Sequence, residues 1–309
     1  QITSILGLYC FVLGSSLLGF SVYLFLESSG IVNEVFTSWS GQGLFWSFIT
    51  LFVSSNLTSQ SNCLSNSVPF NDGEEVIYDI EYLMGKTWVT AGKARFIVKD
   101  SIFKDQSCYY VEGKGRTLKN YDWFFRVRDK YASFISKKTM LPMHFIRRVR
   151  EGEFFLNYDY DFNYKENIAL IYETRKQGSK RDTIDIIDCS FDIMSSVYFS
   201  RAIDFTQFKE NDTIPMNVIL DKEIFKDLYI IYIGKKKIIN QNKKEIDCIH
   251  FKVNLIEGTI FKANESMNVF VSNDENRIPI YVEAEILVGA IRVYSKSIKG
   301  IKVPIKYLN

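Results

Sequence analysis

The stretch FFLNYDYDF, from Phe154 to Phe162, decides the fold class, because large apolar side chains recur at every second position. In an extended chain Leu156, Tyr158 and Tyr160 share one face, and the polar side chains between them share the other. Such alternation is typical of an antiparallel strand with one face on a core and one face on water.

The same period of two recurs on both sides of this stretch. It is found in Val76–Leu83, Lys93–Lys99, Trp123–Arg128 and Ile278–Val288. Polar segments rich in Asn, Asp and Lys separate these runs and are typical of hairpin turns, and no strand–helix rhythm with glycine-rich turns appears. The sequence therefore predicts a mainly β protein, with a large curved antiparallel sheet or a half-open barrel.

One segment departs from the period of two. Between Asp188 and Ile203 the apolar residues recur mostly at steps of three and four, which predicts one main helix near 188–203. Asp188 or Ser190 would cap the start of this helix.

The strand-rich part, residues 69–309, also carries a hint of two related halves. A strand, a turn and a second strand surround Pro142, and a similar arrangement surrounds Pro279. We therefore interpret about 70–185 and 205–300 as two related halves, joined by the predicted helix.

Residues 1–68 differ sharply from the rest in charge, since the first basic residue of the chain is Lys86. Ile5–Leu26 contains no charge and, as a helix, would be about 33 Å long, enough to cross a bilayer. A second apolar run within residues 44–57 is shorter and suits a signal peptide. We predict an apolar leader, either transmembrane or signal, followed by a Ser-rich tether; because no basic residue precedes either run, an apolar extension with neither role is the alternative.

Composition excludes several classes of protein. With 47% hydrophobic residues the chain can bury a core, and a net charge of only +2 argues against nucleic-acid binding. Five cysteines are too few for a disulfide scaffold, although one pair among Cys108, Cys189 and Cys248 could bond. His144 and His250 lie on separate predicted strands, and no nucleotide-binding or metal-ligating motif appears. We therefore predict no metal and no cofactor.

The best candidates for ligand-binding side chains are four arginines. Arg126, Arg128, Arg147 and Arg148 lie on two predicted strands, and if these strands pair, the guanidinium groups would form a patch that binds phosphate or carboxylate headgroups. A solvated face balanced by neighbouring acids is the alternative.

The sequence places no nucleophile, base and orienting residue together, so no catalytic residue is predicted. A hydrolase or transferase that uses carboxylates, for instance Asp129 with Glu151, is the enzymatic alternative.

Several short motifs occur in an order that resembles the domain-of-unknown-function 3108 family, over about residues 69–299. The segments that carry the resemblance are Pro69–Tyr78, Ala91–Ala94, Val127–Tyr131, Leu141–Pro142, Arg150–Gly152, Asp192–Arg201, Arg277–Pro279 and Val288–Gly289. The resemblance implies an exported protein of the bacterial cell envelope. It also implies a curved antiparallel sheet with a helix, similar to the half-barrels that carry lipids or lipoproteins across the periplasm, and it implies no activity.

These observations favour a non-enzymatic protein of the cell envelope, membrane-anchored or periplasmic, that binds a lipid, a lipoprotein or another amphipathic ligand. The apolar part of the ligand would lie against the concave side of the sheet, and the four arginines would bind its headgroup. A purely structural envelope assembly protein is a further alternative, for which an exposed apolar patch without a cavity is expected.

Overall fold

The structure is a computed structural model that describes residues 68–123, 125–254, 266–286 and 289–308. The predicted leader, with its apolar runs 5–26 and 44–57, lies outside the described residues, so its role as a membrane span or signal stays a prediction. Within the described ranges, no helix has both the length and the apolar character needed to cross a bilayer.

The first eight strands form an antiparallel meander in which each strand pairs with the next. They are β1 (Glu75–Met84), β2 (Thr87–Phe103), β3 (Gln106–Thr117), β4 (Arg128–Ser136), β5 (Pro142–Glu151), β6 (Phe154–Asn163), β7 (Ile168–Arg175) and β8 (Gly178–Asp185). The alternation predicted for Phe154–Phe162 is seen in β6, where Leu156, Tyr158 and Tyr160 are buried on the concave face.

The loop before β4 corrects one predicted strand. Of the alternating run Trp123–Arg128, Trp123 lies in a turn after the 3-10 helix Lys119–Tyr121, Val127 makes an isolated bridge, and β4 begins only at Arg128. The Arg128 guanidinium binds both carboxylate oxygens of Asp122, at 3.0 and 2.5 Å. This bidentate contact joins the loop to the first residue of β4.

The remaining strands follow a short helical region. They are β9 (Ser190–Phe191), β10 (Thr213–Leu220), β11 (Glu223–Ile239), β12 (Glu245–Asn254), β13 (Ser266–Ser272), β14 (Pro279–Glu285), β15 (Ala290–Lys299) and β16 (Tyr307–Leu308). Strands β10 to β15 form a second antiparallel meander, β9 pairs in parallel with β10, and β16 pairs with the start of β12.

Pairing of β1 with β15 joins the two meanders into one sheet. A 2.5 Å contact from Arg292 Nε to Glu81 Oε2 crosses this junction. The strand order runs from β8 through β1 and β15 to β9, so the curved sheet is open between these two edge strands. The predicted fold class, mainly β with a large curved sheet and one main helix, is confirmed. The relation between the two halves as repeats stays a prediction.

The main helix, α1 (Ile193–Arg201), is shorter than predicted and has a different cap. Asp192, rather than Asp188 or Ser190, accepts hydrogen bonds from the backbone N–H groups of Met194 and Ser195, at 2.8 and 2.9 Å. The Ser195 hydroxyl in turn accepts from the Asp192 backbone N–H, which completes a capping box. The helix begins late because Ser190 pairs with β10 as part of β9. A second 3-10 helix, Phe205–Gln207, follows α1.

Helix α1 fills the concave side of the first meander. Met194 and Tyr198, one turn apart on the helix, are buried against large rings of β4, β5 and β6. These rings are Tyr131, Phe145, Tyr158 and Tyr160. The helix and the rings leave this half solidly packed, whereas the second meander is less completely filled.

The turn of the β10–β11 hairpin reaches across to the first meander and partly closes the open side. Arg147 of β5 donates from Nη1 to Asp221 Oδ1 at 2.6 Å, and the Tyr160 hydroxyl donates to the Asp221 carbonyl oxygen. Lys222 Nζ lies 2.7 Å from Glu173 Oε2 of β7. We call this contact region, formed by Asp221 and Lys222 on Arg147, Tyr160 and Glu173, the clasp.

Candidate functional site

An apolar cavity of about 270 Å³ lies between α1 and the concave side of the second meander. Its walls come from β10 to β15, from the first residues of β1, from Phe96 of β2 and from α1. Most of the lining side chains are aliphatic or aromatic, with Met216, Phe251, Val269, Val282 and Val293 among them. The volume is close to the lower end of the range, ~300–1,000 Å³, in which proteins bind small molecules.

The cavity is closed at one end and more open at the other. Along β13 the lining residues Val271 and Val269 are buried, and Met267 is partly exposed. Tyr229, at the same end as Met267, is 37% exposed. The Tyr229 backbone N–H donates to Asn254 Oδ1 at 2.7 Å. We call this end, with Tyr229, Asn254 and Met267, the mouth, and the opposite end the base.

The base of the cavity contains the two charged residues of its described lining, Arg201 and Glu74, and they are paired. Arg201 Nη1 and Nη2 donate to the two oxygens of Glu74 at 2.6 and 2.8 Å. Nη2 and Nε also donate to the Asn276 carbonyl oxygen, at 2.8 and 3.3 Å. The side chains of Arg201 and Glu74 are only 3% and 2% exposed, so this charge pair is compensated inside the protein.

The two serine side chains of the helix wall also donate within the protein. Ser196 and Ser200 face the cavity, but their hydroxyl groups donate to the carbonyl oxygens of Ile193 and Val197, both at 2.8 Å. Burial raises the pKa of Tyr198, so its ring stays neutral. The cavity therefore offers an incoming molecule mainly apolar contact.

The four predicted arginines do not line this cavity. Arg147 points into the first meander, where it binds Asp221, is 1% exposed and lies within cation–π distance of Tyr131. Its neighbour Arg148 points to the outer face and binds Asp159 Oδ1 at 2.7 Å, because successive residues of a strand face opposite sides.

Lys130 of β4 pairs with Arg148 of β5, so the two side chains lie on the same face of the sheet. Arg128 lies two residues before Lys130 on β4 and therefore shares this outer face. Arg126 is exposed in the loop ahead of β4. The structure thus separates Arg147 from the arginines of the outer face. The four guanidinium groups therefore do not form one patch. Whether any of the four binds a ligand stays a prediction.

The carboxyl groups of Asp129 and Glu151, by contrast, are brought together. Both residues are 3% exposed, and Asp129 Oδ2 and Glu151 Oε1 are buried without a hydrogen-bond partner. Asp129 Oδ1 accepts from the Arg150 backbone N–H at 2.9 Å. Burial, reinforced by the neighbouring Asp129, raises the pKa of Glu151 well above its usual range, so the pair retains a proton at neutral pH. Neither residue lines the cavity, which places the pair in the packed half of the protein.

The cysteines and histidines give no cluster. Cys108 and Cys248 are buried free thiols, and Cys189 is disulfide-bonded, so the predicted pairing among these three cysteines is wrong. His144 and His250 lie on β5 and β12, and the described part of the chain holds no group of His, Cys, Asp or Glu side chains arranged for a metal ion.

Sequence reasoning missed the ion pair at the base. Arg201 follows Met194 by seven residues and Tyr198 by three, so it occupies the apolar face of α1. A charged residue on such a face needs a buried partner. Glu74, which directly precedes the apolar β1, was the available signal for that partner.

Comparison with known proteins agrees with the fold and names a family. The family model described as "Protein of unknown function (DUF3108)" matches residues 77–296. None of the curated proteins matches the sequence. A solved structure of a β-barrel-like protein of the domain of unknown function DUF1849, from Brucella abortus, is similar with a TM-score of 0.50 and 9% sequence identity, over 75% of this chain and 99% of that one. At this identity the likeness shows the fold alone. The family match confirms the resemblance drawn from the sequence motifs, and the chain belongs to the DUF3108 family of proteins of unknown function.

Proposed function

We propose that the protein is a non-enzymatic binder of an amphipathic ligand, such as a lipid or the lipid part of a lipoprotein, whose apolar part occupies the cavity beside α1. The observation that carries this proposal is the cavity itself, about 270 Å³ in volume and lined mainly by apolar side chains. An apolar cavity gives water too few hydrogen-bonding partners and is a favourable site for apolar molecules. Burying apolar ligand surface contributes about 25 cal/mol per Å².

Location in the cell envelope is part of the proposal. Disulfides persist in oxidising compartments such as the periplasm, and Cys189 is disulfide-bonded. The resemblance to exported envelope proteins supports the same location. Separation of periplasmic, membrane and cytoplasmic fractions from producing cells, followed by immunodetection, tests it, and recovery of the protein in the cytoplasm alone would contradict it.

The binding proposal is tested by extracting purified protein with organic solvent and analysing the extract by mass spectrometry. Wild-type protein is expected to release an apolar compound in near-stoichiometric amount. Val269→Trp, which places a large ring in the cavity, is expected to release little or none. The matched control is Ile102→Trp, because Ile102 is 75% exposed and far from the lining. Circular dichroism checks that both variants fold.

An extract that contains no apolar compound from wild-type protein, or equal amounts from wild type and Val269→Trp, would contradict the proposal. The carboxyl pair of Asp129 and Glu151 does not provide an equally good alternative. It lies outside the cavity, and a substrate would have to enter the packed half to reach it.

A further inference from the structure

The side chains that line the cavity become more exposed from the base to the mouth. On β12, Phe251 is buried and Val253 is partly exposed, and on β13 the order from Val271 to Met267 is the same. A ligand that enters at the mouth therefore meets progressively more buried apolar surface until it reaches the base.

The base is unsuitable for a charged or strongly polar group. The described contacts of Arg201 direct its guanidinium at the Glu74 carboxylate and at the Asn276 and Pro69 carbonyl oxygens. A carboxylate or phosphate arriving there would compete with Glu74 for the same donors. If it failed to displace Glu74, it would lie desolvated without a partner, which costs several kcal/mol.

The described walls offer a sugar or a peptide few polar partners, because the hydroxyl groups of Tyr78, Tyr198 and two serines stand among mainly apolar side chains. The hydroxyl groups of Ser196 and Ser200 donate to carbonyl oxygens of their own helix. The opposite wall, across β12 to β15, presents Val269, Val282 and Val293. A ligand segment without internal hydrogen-bonding groups is therefore the best fit.

The dimensions favour one chain of limited length. From Met267 to Val271 the lining spans four residue-to-residue steps of β13, or about 14 Å at ~3.4 Å per residue. A saturated carbon chain with bonds of ~1.5 Å advances ~1.25 Å per carbon, so about ten or eleven carbons fill this length. A volume of about 270 Å³ leaves little room for a second chain of the same length.

We infer that the cavity takes a single unbranched hydrocarbon chain of about ten carbons, inserted with its uncharged end toward Arg201 and Glu74 and with its polar group outside the mouth. This inference rests on the proposed function and adds the class of ligand, its orientation and a limit on its length. The buried ion pair acts as the floor that sets this limit.

The test compares two ligands of equal length by isothermal titration calorimetry. Decanoate carries one carboxylate, and decanedioate carries one at each end. Decanoate is expected to bind, and decanedioate is expected to bind at least about 100-fold more weakly, because its inner carboxylate has no free donor at the base. A series of alkanoates from about 6 to 16 carbons measures the length preference.

Two variants, one at each end of the cavity, distinguish a limit on the length of the bound chain from a limit set by the width of the cavity. Val271→Phe raises the floor and is expected to shift the preferred chain by about two carbons toward shorter alkanoates. Val253→Phe narrows the region near the mouth and is expected to weaken all alkanoates by a similar factor, without changing the preferred length. Circular dichroism again checks folding, and if Val271→Phe does not fold, Pro279→Leu at the same end is the substitute.

The outcomes separate this inference from the proposed function. If wild-type protein binds no alkanoate of any length, both are overturned. If alkanoates bind but decanedioate binds equally well, or if neither variant at the base changes the preferred length, the inference is overturned while apolar binding stands. Selective binding of decanoate with the expected length shift supports both.

Discussion

Arg201 and Glu74 stand 127 residues apart in the chain and form a two-pronged ion pair inside the protein, with Nη1–Oε1 and Nη2–Oε2 distances of 2.6 and 2.8 Å. Arg201 ends α1 and Glu74 immediately precedes β1. The pair therefore fixes the end of the helix to the start of the sheet, beside the junction where the two meanders meet.

Removing one member of this pair leaves an uncompensated buried charge. Arg201→Met is expected to lower the free energy of unfolding by about 3–5 kcal/mol, because Glu74 then lacks its cation in a region of low dielectric. The double variant Arg201→Met/Glu74→Gln is expected to recover a large part of the loss, since neither charge remains. Urea denaturation followed by circular dichroism measures both. A single variant as stable as wild type would contradict the inferred coupling.

The cap of α1 provides a second prediction. Asp192 is fully buried and accepts from two backbone N–H groups and from the hydroxyls of Ser133 and Ser195, at 2.8 and 2.9 Å. Asp192→Ala is expected to lower the free energy of unfolding by about 2 kcal/mol or more, because the cap is lost and buried donors lose their acceptor. Asp192→Asn keeps one acceptor oxygen and is expected to cost less. The same denaturation experiment tests the order, and an equal cost for both variants would contradict it.

The strands themselves were predictable, because each buries one face and the period of two is visible in the sequence. The run Val76–Leu83 predicted β1, and Phe154–Phe162 predicted β6. The pairing of β1 with β15 was not predictable, since it joins residues such as Glu81 and Arg292 that lie 211 positions apart. The run Trp123–Arg128 misled because a loop closed by the Asp122–Arg128 contact can alternate by coincidence.

Of the candidate site, only the general expectation of an apolar concavity followed from the sequence. Which half is filled depends on where α1 docks, and a helical pattern does not specify its docking face on a sheet. The faces on which the arginine side chains lie were also missed. Arg147 and Arg148 are adjacent in sequence, but strand geometry sends one into the core and the other to the outer face.

The buried carboxyl pair predicts an unusual dependence of stability on pH. Burial and the neighbouring Asp129 raise the pKa of Glu151, so the folded protein holds this proton more tightly than the unfolded chain does. The stability contributed by protonated Glu151 is complete below the ordinary Glu pKa of ~4.3 and is lost as the pH rises toward the raised value. Glu151→Gln needs no proton to remain neutral.

The unfolding free energy of Glu151→Gln, relative to wild type, is therefore expected to increase by about 1–3 kcal/mol between about pH 5 and about pH 8. Glu153→Gln is the matched control, because the Glu153 side chain is 99% exposed two positions away. Its relative stability is expected to stay constant over the same range. Parallel curves for wild type and Glu151→Gln would contradict the raised pKa of Glu151.

The clasp holds the β10–β11 hairpin across the open side of the sheet, and a substitution at Asp221 tests this role. Arg147 is 1% exposed, and its Nε and Nη2 atoms are buried without a hydrogen-bond partner, so its contact with Asp221 is the main compensation for a buried cation. Asp221→Asn removes the negative charge while keeping the size of the side chain. We expect a loss of about 2 kcal/mol in the free energy of unfolding, less than the ~3–5 kcal/mol for a fully buried pair, because the Asp221 side chain is 29% exposed.

The local effect of Asp221→Asn is expected in the hairpin itself. Hydrogen–deuterium exchange should become faster over residues 213–231, and exchange in β1 to β3 should change little, because the contacts that define the clasp lie on β5 to β8. Asp182→Asn is the control, since Asp182 lies 3.5 Å from Lys222 and is 48% exposed, and an exposed pair contributes little.

Because Leu220, Leu228 and Tyr229 belong both to the hairpin and to the cavity lining, a loosened clasp also widens the mouth. Faster release of a bound alkanoate from Asp221→Asn than from Asp182→Asn would follow, whereas equal exchange and equal release in the two variants would show that the clasp does not hold the hairpin.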